Sequence, residues 1–147
     1  MNPQTLRIPD EPAWSGCEDD LDVQYMRNLF NGKSIVEVQQ YFGQNRSIER
    51  SGELLFSPRP VFQYYVHAFA TFIMSERARG DSDSASTFLR LLDAREERDP
   101  GSVRTILDSL RGSIDYVASH QSSFEADEDI YGNFQELAAT IRSRCDG

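Results

Sequence analysis

The segment Arg59-Pro60-Val61-Phe62-Gln63-Tyr64-Tyr65-Val66-His67-Ala68-Phe69-Ala70-Thr71-Phe72-Ile73-Met74 constrains this chain more than any other stretch. Its apolar residues fall all round the helical circumference instead of along one stripe, and such a helix must be covered on most sides. Pro58 and Pro60 suit its start, where a missing N–H costs nothing. A helix from about residue 60 to 79, closed by Gly80, is therefore expected at the centre of the molecule. With 147 residues, 39% of them hydrophobic, the chain can supply that cover within one domain.

The rest of the chain reads as the covering helices. Asp19 or Asp20 caps a first helix over about 20–31, with Leu21, Tyr25, Met26, Leu29 and Phe30 on one face and Gly32 as its stop. Ser34-Ile35-Val36-Glu37 has the capping-box form and opens a short helix ending before Gly43. Residues 44–58 are too polar and mixed to show a period and are expected to be a loop with at most a single turn. Asp81 to Ser84 lead into a helix carrying Phe88, Leu89, Leu91 and Leu92, whose far end, Asp93 to Arg98, is expected to be solvated. Val103, Ile106, Leu107, Leu110, Ile114 and Val117 recur at helical spacing and predict a helix over about 103–121. Asp127-Glu128-Asp129 then begin a last helix with Ile130, Phe134, Leu137, Ala138 and Ile141 on one face. No strand-like alternation is sustained, so the expected fold is all-α, a single-domain bundle of about five or six helices around a central aromatic helix. Residues 18–147 form this domain, and residues 1–17, broken by Pro3, Pro9, Pro12 and Gly16, form an extended N-terminal arm that docks Leu6, Ile8 and Trp14.

A net charge of −9 and an isoelectric point near 4.6 disfavour nucleic acid and anionic membrane, which both demand a basic face. No run approaches the roughly 18 apolar residues of a membrane span, the start lacks the pattern of a signal peptide, and a cytoplasmic location is expected. Cys17 and Cys145 are read as free thiols. Two scattered histidines and two scattered cysteines have no zinc spacing, and Asp127 to Ala138 lacks two ligands of a calcium loop, so no metal or cofactor is expected. Phosphate-loop, dinucleotide and nucleophile-elbow motifs are absent. His67 has no acid one turn away to orient it and reads as a packed residue. His120 reads as a helix-end residue bonded to the last carbonyls, with Tyr116 one turn back. The distinctive surface signal is two acidic blocks without intervening basic residues. One holds Asp10, Glu11, Glu18, Asp19, Asp20 and Asp22; the other holds Glu125, Asp127, Glu128, Asp129 and Glu136. Such blocks steer a basic partner as well as confer solubility, with Trp14, Tyr41 or Tyr131 as candidate aromatic anchors.

The run from Phe56 through Phe69, together with Leu91-Leu92-Asp93-Ala94-Arg95-Glu96 and Tyr131-Gly132-Asn133-Phe134, resembles a group of small helical bacterial proteins over about residues 50–142. Some acidic members of that group are similar to immunity proteins, which neutralise toxins. The resemblance implies an immunity-like inhibitor, and the charge blocks without catalytic constellations point to a non-enzymatic, protein-binding domain that occludes a basic effector, with Glu18, Asp19, Asp20, Asp22, Glu125, Asp127, Glu128 and Asp129 as the candidate partner-binding residues. Two alternatives stand beside it. One is a small hydrolase or metal-dependent enzyme using His67 or His120; the other is a homo-oligomeric scaffold, should the apolar surface of the helix over 60–79 exceed what its neighbours can cover.

Overall fold

A computed structural model describes residues 7–146. The helices, in chain order, are α1 (Leu21–Phe30), α2 (Ile35–Val38), α3 (Ser47–Phe56) and α4 (Arg59–Ile73), followed by α5 (Ser82–Arg98), α6 (Leu107–Ser119), α7 (Glu128–Tyr131) and α8 (Phe134–Asp146). There is no strand among the described residues. The fold is all-α with the aromatic helix at its centre, and six of its helices have ten residues or more.

α4 buries Val61, Phe62, Tyr64, Tyr65, Val66, His67, Ala68, Phe69, Ala70, Phe72 and Ile73. α2, α3, α5 and α6 pack around it. Its aromatic side chains seed a cluster in which Phe30 meets Tyr65 and Phe42 meets Phe69, both at 4.8 Å between ring centroids, while Phe69 meets Phe88 at 5.3 Å. Each such pair adds about 0.5–1.5 kcal/mol beyond the area it buries. The Tyr65 hydroxyl is shared between the carbonyls of Phe30 and Lys33, at 2.8 and 2.9 Å, and so caps the end of α1. α4 stops at Ile73 rather than at Arg79. Ser75 turns extended and donates to the Phe72 carbonyl at 2.5 Å, while the Arg77 guanidinium is drawn back to the carbonyls of Gln39 and Phe42.

Residues 44–58 contain the ten-residue helix α3 in place of the expected loop. Its inward face carries Ser47, Arg50, Glu53 and Leu54, while the apolar Ile48 and Phe56 face water. The apolar residues of α3 do recur at helical spacing, but on the outward side, so the face that is covered is the polar one. Arg50 and Glu53 satisfy one another through two bonds of 2.5 and 2.8 Å, and Ser47 joins Ser84 of α5 at 2.6 Å. The far end of α5 is solvated only in part: Glu97 and Arg98 are exposed, but Arg95 and Glu96 are buried. Arg95 donates to the carbonyls of Leu54, Leu55 and Ser57 at the end of α3, to Ser102 and to Asp99. Glu96 accepts from the backbone N–H groups of Gly101, Val103 and Arg104. One adjacent pair thus closes the carbonyl end of one helix and the amide start of the next.

Residues 11–14 form a 3-10 turn, capped by Asp10, instead of an extended arm; the turn inserts Trp14 fully into the core. Ile8 stays 41% exposed, and Leu6 lies outside the described residues. The capping box at Ser34 and Glu37 forms as expected. The helix expected over 103–121 begins as a 3-10 turn at Arg104–Ile106 and is α-helical from Leu107. The last expected helix is two, parted at Gly132, and Ile130 is exposed.

Candidate functional site

The two acidic blocks lie at opposite ends of α5. Tyr131, beside the second block, bonds Asp83 and Ser82 at the start of α5. Arg98, at its end, lies over Phe56 beside the first block. Those ends are roughly 22 Å apart at the helical rise, so the blocks do not make one surface.

Much of the acid is committed to the chain's own backbone. Asp20 caps α1 through the N–H groups of Asp22 and Val23, and Glu18 accepts from Gly16, which lowers its pKa. In the second block Asp127 caps α7, Glu128 accepts from Asn133, and Glu125 occupies a left-handed backbone position beside Gly80. Asp19, Asp22 and Asp129 are exposed, and among the described residues their carboxylates bond nothing.

The first block gains a second feature. Gly16 to Asp22, Phe56 and Arg98 line an open trough of about 750 Å3. Leu21, 83% exposed, and Phe56, 44% exposed, share it with Glu18, Asp19, Asp20 and Asp22. The Cys17 thiol donates to the Phe56 carbonyl at 3.4 Å and fixes one wall, and burial pushes its pKa up. Next along the same pair of helices, Tyr25 is 55% exposed with Arg50 5.3 Å over its ring, and Ile48 is 57% exposed. Leu21 and Tyr25 were expected on the inward face of α1, but that face is Val23, Met26 and Phe30. The aromatic anchors expected from sequence are differently placed. Trp14 is in the core, Tyr41 packs on Phe30 and receives a bond from Lys33, and Tyr131 is tied to α5. Aromatic residues open to a partner on this face are Tyr25 and Phe56.

His67 is buried, and its Nε2 lies 2.7 Å from the Ser109 hydroxyl. That hydroxyl also lies 2.6 Å from the Ile106 carbonyl. Burial holds the imidazole pKa below its ordinary value. His120 caps the end of α6, its Nδ1 2.7 Å from the Tyr116 carbonyl and its ring stacked on Tyr116 at 4.1 Å. It lines a cleft of about 280 Å3 with Glu76, Arg79, Ser75 and Ser123. Among the described residues no three of His, Cys, Asp and Glu lie close enough together to hold a metal ion. No helix of the described residues is long and apolar enough to cross a membrane. Cys17 and Cys145 are free thiols.

No protein-family model, no curated protein and no solved structure matches this chain.

Proposed function

We propose that this chain is a protein-binding domain of the immunity or antitoxin-like kind, which occludes a basic effector with the face formed by residues 16–22, α1 and α3. The observation that carries this reading is the exposed pair Leu21 and Phe56, set among Glu18, Asp19 and Asp22 in one trough. Apolar anchors beside four carboxylates, with Arg98 as the cation in the same trough, suit a partner of net opposite charge, since the carboxylates set encounter rate and register and the anchors set lifetime. A second copy of this chain would bring acid against acid, and α4, whose coverage was the reason to consider a homo-oligomer, is buried by the chain's own helices. The first block carries the contact in this reading, because its trough sets exposed apolar side chains among the carboxylates, whereas the second block lies at the other end of α5.

The test is association kinetics with the basic protein recovered on the immobilised chain from its native cell. Asp19→Lys with Asp22→Lys slows association and flattens its dependence on salt, whereas Asp129→Lys leaves both unchanged. Association that ignores salt, or that responds to Asp129 alone, overturns the assignment.

The cleft at His120 supports a second reading, a small-molecule or hydrolytic site. With Nδ1 engaged by the Tyr116 carbonyl, Nε2 is the nitrogen left for proton transfer, and Glu76 is the carboxylate in the same cleft. Hydrolysis of model esters that disappears in His120→Gln, with folding unchanged, would establish it; equal rates in both proteins would exclude it.

A further inference from the structure

The cleft at His120 lies between two turns that the chain ties together. One is the 3-10 turn Glu76–Ala78 after α4, and the other is the turn over 121–125 after α6. The Gly80 N–H donates to the Ser123 carbonyl at 3.0 Å and joins them. Gly80 has φ of +75°, and a Cβ there would fall 2.5 Å from the Glu125 carboxylate, so the join admits only glycine. Gln121 fixes the second turn by donating to the carbonyls of Ala126 and Gly132 and accepting from the Phe134 N–H. Walls held in this way are set before a ligand arrives, which lowers the cost of binding one.

Two opposite charges line the cleft without neutralising each other. Glu76 and Arg79 are both exposed, and among the described residues neither side chain forms an ion pair. Three residues is a spacing at which an acid and an arginine can meet, as Asp108 and Arg111 do at 2.9 Å. Arg77, between them, is taken up by the carbonyls of Gln39 and Phe42. Met74, 43% exposed, and Tyr116 add apolar surface, and Ser123 adds a hydroxyl. At about 280 Å3 the cleft falls just below the roughly 300–1,000 Å3 of sites for drug-sized ligands, so its occupant is small. A phosphate or other simple anion would meet Glu76, and a simple cation would meet Arg79. A small molecule carrying both charges satisfies both side chains.

Resting on the small-molecule reading of this cleft given above, we propose that it binds a free α-amino acid. The carboxylate of the ligand takes the guanidinium fork of Arg79, its ammonium meets Glu76, and its side chain lies on Met74 and Tyr116.

The probe is L-leucine, titrated into the full chain while backbone amide resonances are followed. N-acetyl-L-leucine, which keeps the carboxylate and loses the ammonium, and L-leucinamide, which does the reverse, are titrated beside it. Leucine is expected to shift the amides of Ser75, Glu76 and Ser123 and to bind roughly tenfold more tightly than either derivative. Arg79→Gln is expected to weaken leucine about tenfold and leave leucinamide unchanged, and Glu76→Gln to weaken leucine equally and leave N-acetylleucine unchanged. Both side chains are exposed, so thermal stability should hold in each variant. A derivative that binds as tightly as leucine makes this a single-charge site and overturns the amino acid. Leucine that shifts no amide of the cleft overturns it as well; ester hydrolysis still lost in His120→Gln would then leave the catalytic reading standing alone, and its absence would end both.

Discussion

At the scale of single residues, stability is concentrated in a few buried polar groups that each close off backbone from elsewhere in the chain. Arg95 is the clearest, because it holds three carbonyls past the end of α3 while bonding Ser102 and Asp99. Arg95→Ala takes the side-chain donor from the Leu55 and Ser57 carbonyls, while Leu54 keeps its bonds from Ser57, and we expect a loss of about 3–5 kcal/mol, measured by urea unfolding. Arg95→Lys recovers only part of it, since an ammonium cannot serve the directions the guanidinium reaches. His67 supplies a pH dependence. Its unfolded pKa lies near 6.5 and burial lowers the native one. As pH falls below about 6.5 the unfolded chain takes up a proton that the native imidazole refuses, so stability declines toward the native pKa. Above that pH both states are neutral and the term vanishes. His67→Gln should remove this part of the acid limb when unfolding midpoints are compared across pH; an unchanged limb would place the titration elsewhere. The Asp93-Ala94-Arg95-Glu96-Glu97-Arg98 run reads as a solvated face because consecutive charges usually are one. What buries Arg95 and Glu96 is the demand of two helix ends and a turn that only the folded chain brings within their reach. The Pro100-Gly101-Ser102 turn directly after them was the available sign that backbone N–H groups would need an acceptor.

At the scale of elements, α3 shows where periodicity stops being informative. A helix is found by its apolar stripe, and α3 places its apolar residues outward and an ion pair inward. The same inversion moves the candidate site from Trp14, Tyr41 and Tyr131 to Tyr25 and Phe56, because an aromatic side chain in a sequence carries no mark of which side of its helix is covered. Glycines mark elements in two opposite ways here. Gly43 has φ of +84°, and a Cβ there would lie 2.7 Å from the buried Phe72 ring. We expect Gly43→Ala to cost at least about 1–2 kcal/mol from backbone conformation alone. Gly52→Ala should instead raise stability by about 1 kcal/mol, since nothing opposes the new methyl group. Calorimetry on the two variants separates glycine required by the fold from glycine that the fold does not use.

At the scale of the whole molecule, many of the 24 acidic residues cap helices or pair with arginines of the same chain, so their number overstates how many are free to meet a partner. Long-range attraction depends on the total, while docking depends on Asp19, Asp22 and the apolar side chains beside them. Raising salt should therefore slow association of a basic partner by lowering the encounter rate, with a smaller effect on dissociation, and Leu21→Ala should do the reverse. Stopped-flow measurement of both rates distinguishes the two contributions.

By itself the sequence determined the helical class, the central place of the aromatic segment, the capping box at Ser34, a cap at Asp19 or Asp20, the acidic helix start at Asp127 to Asp129, and two acidic blocks along the chain. These follow from local chemistry, from spacing along one helix or from a side chain and the next few N–H groups. Only the tertiary structure decided which face of α3 is covered, that Arg95 and Glu96 belong to the interior, that the acidic blocks are far apart, and that Leu21 and Phe56 share an open trough. Each of those depends on which remote backbone or helix comes alongside, a long-range pairing that spacing along the chain does not encode.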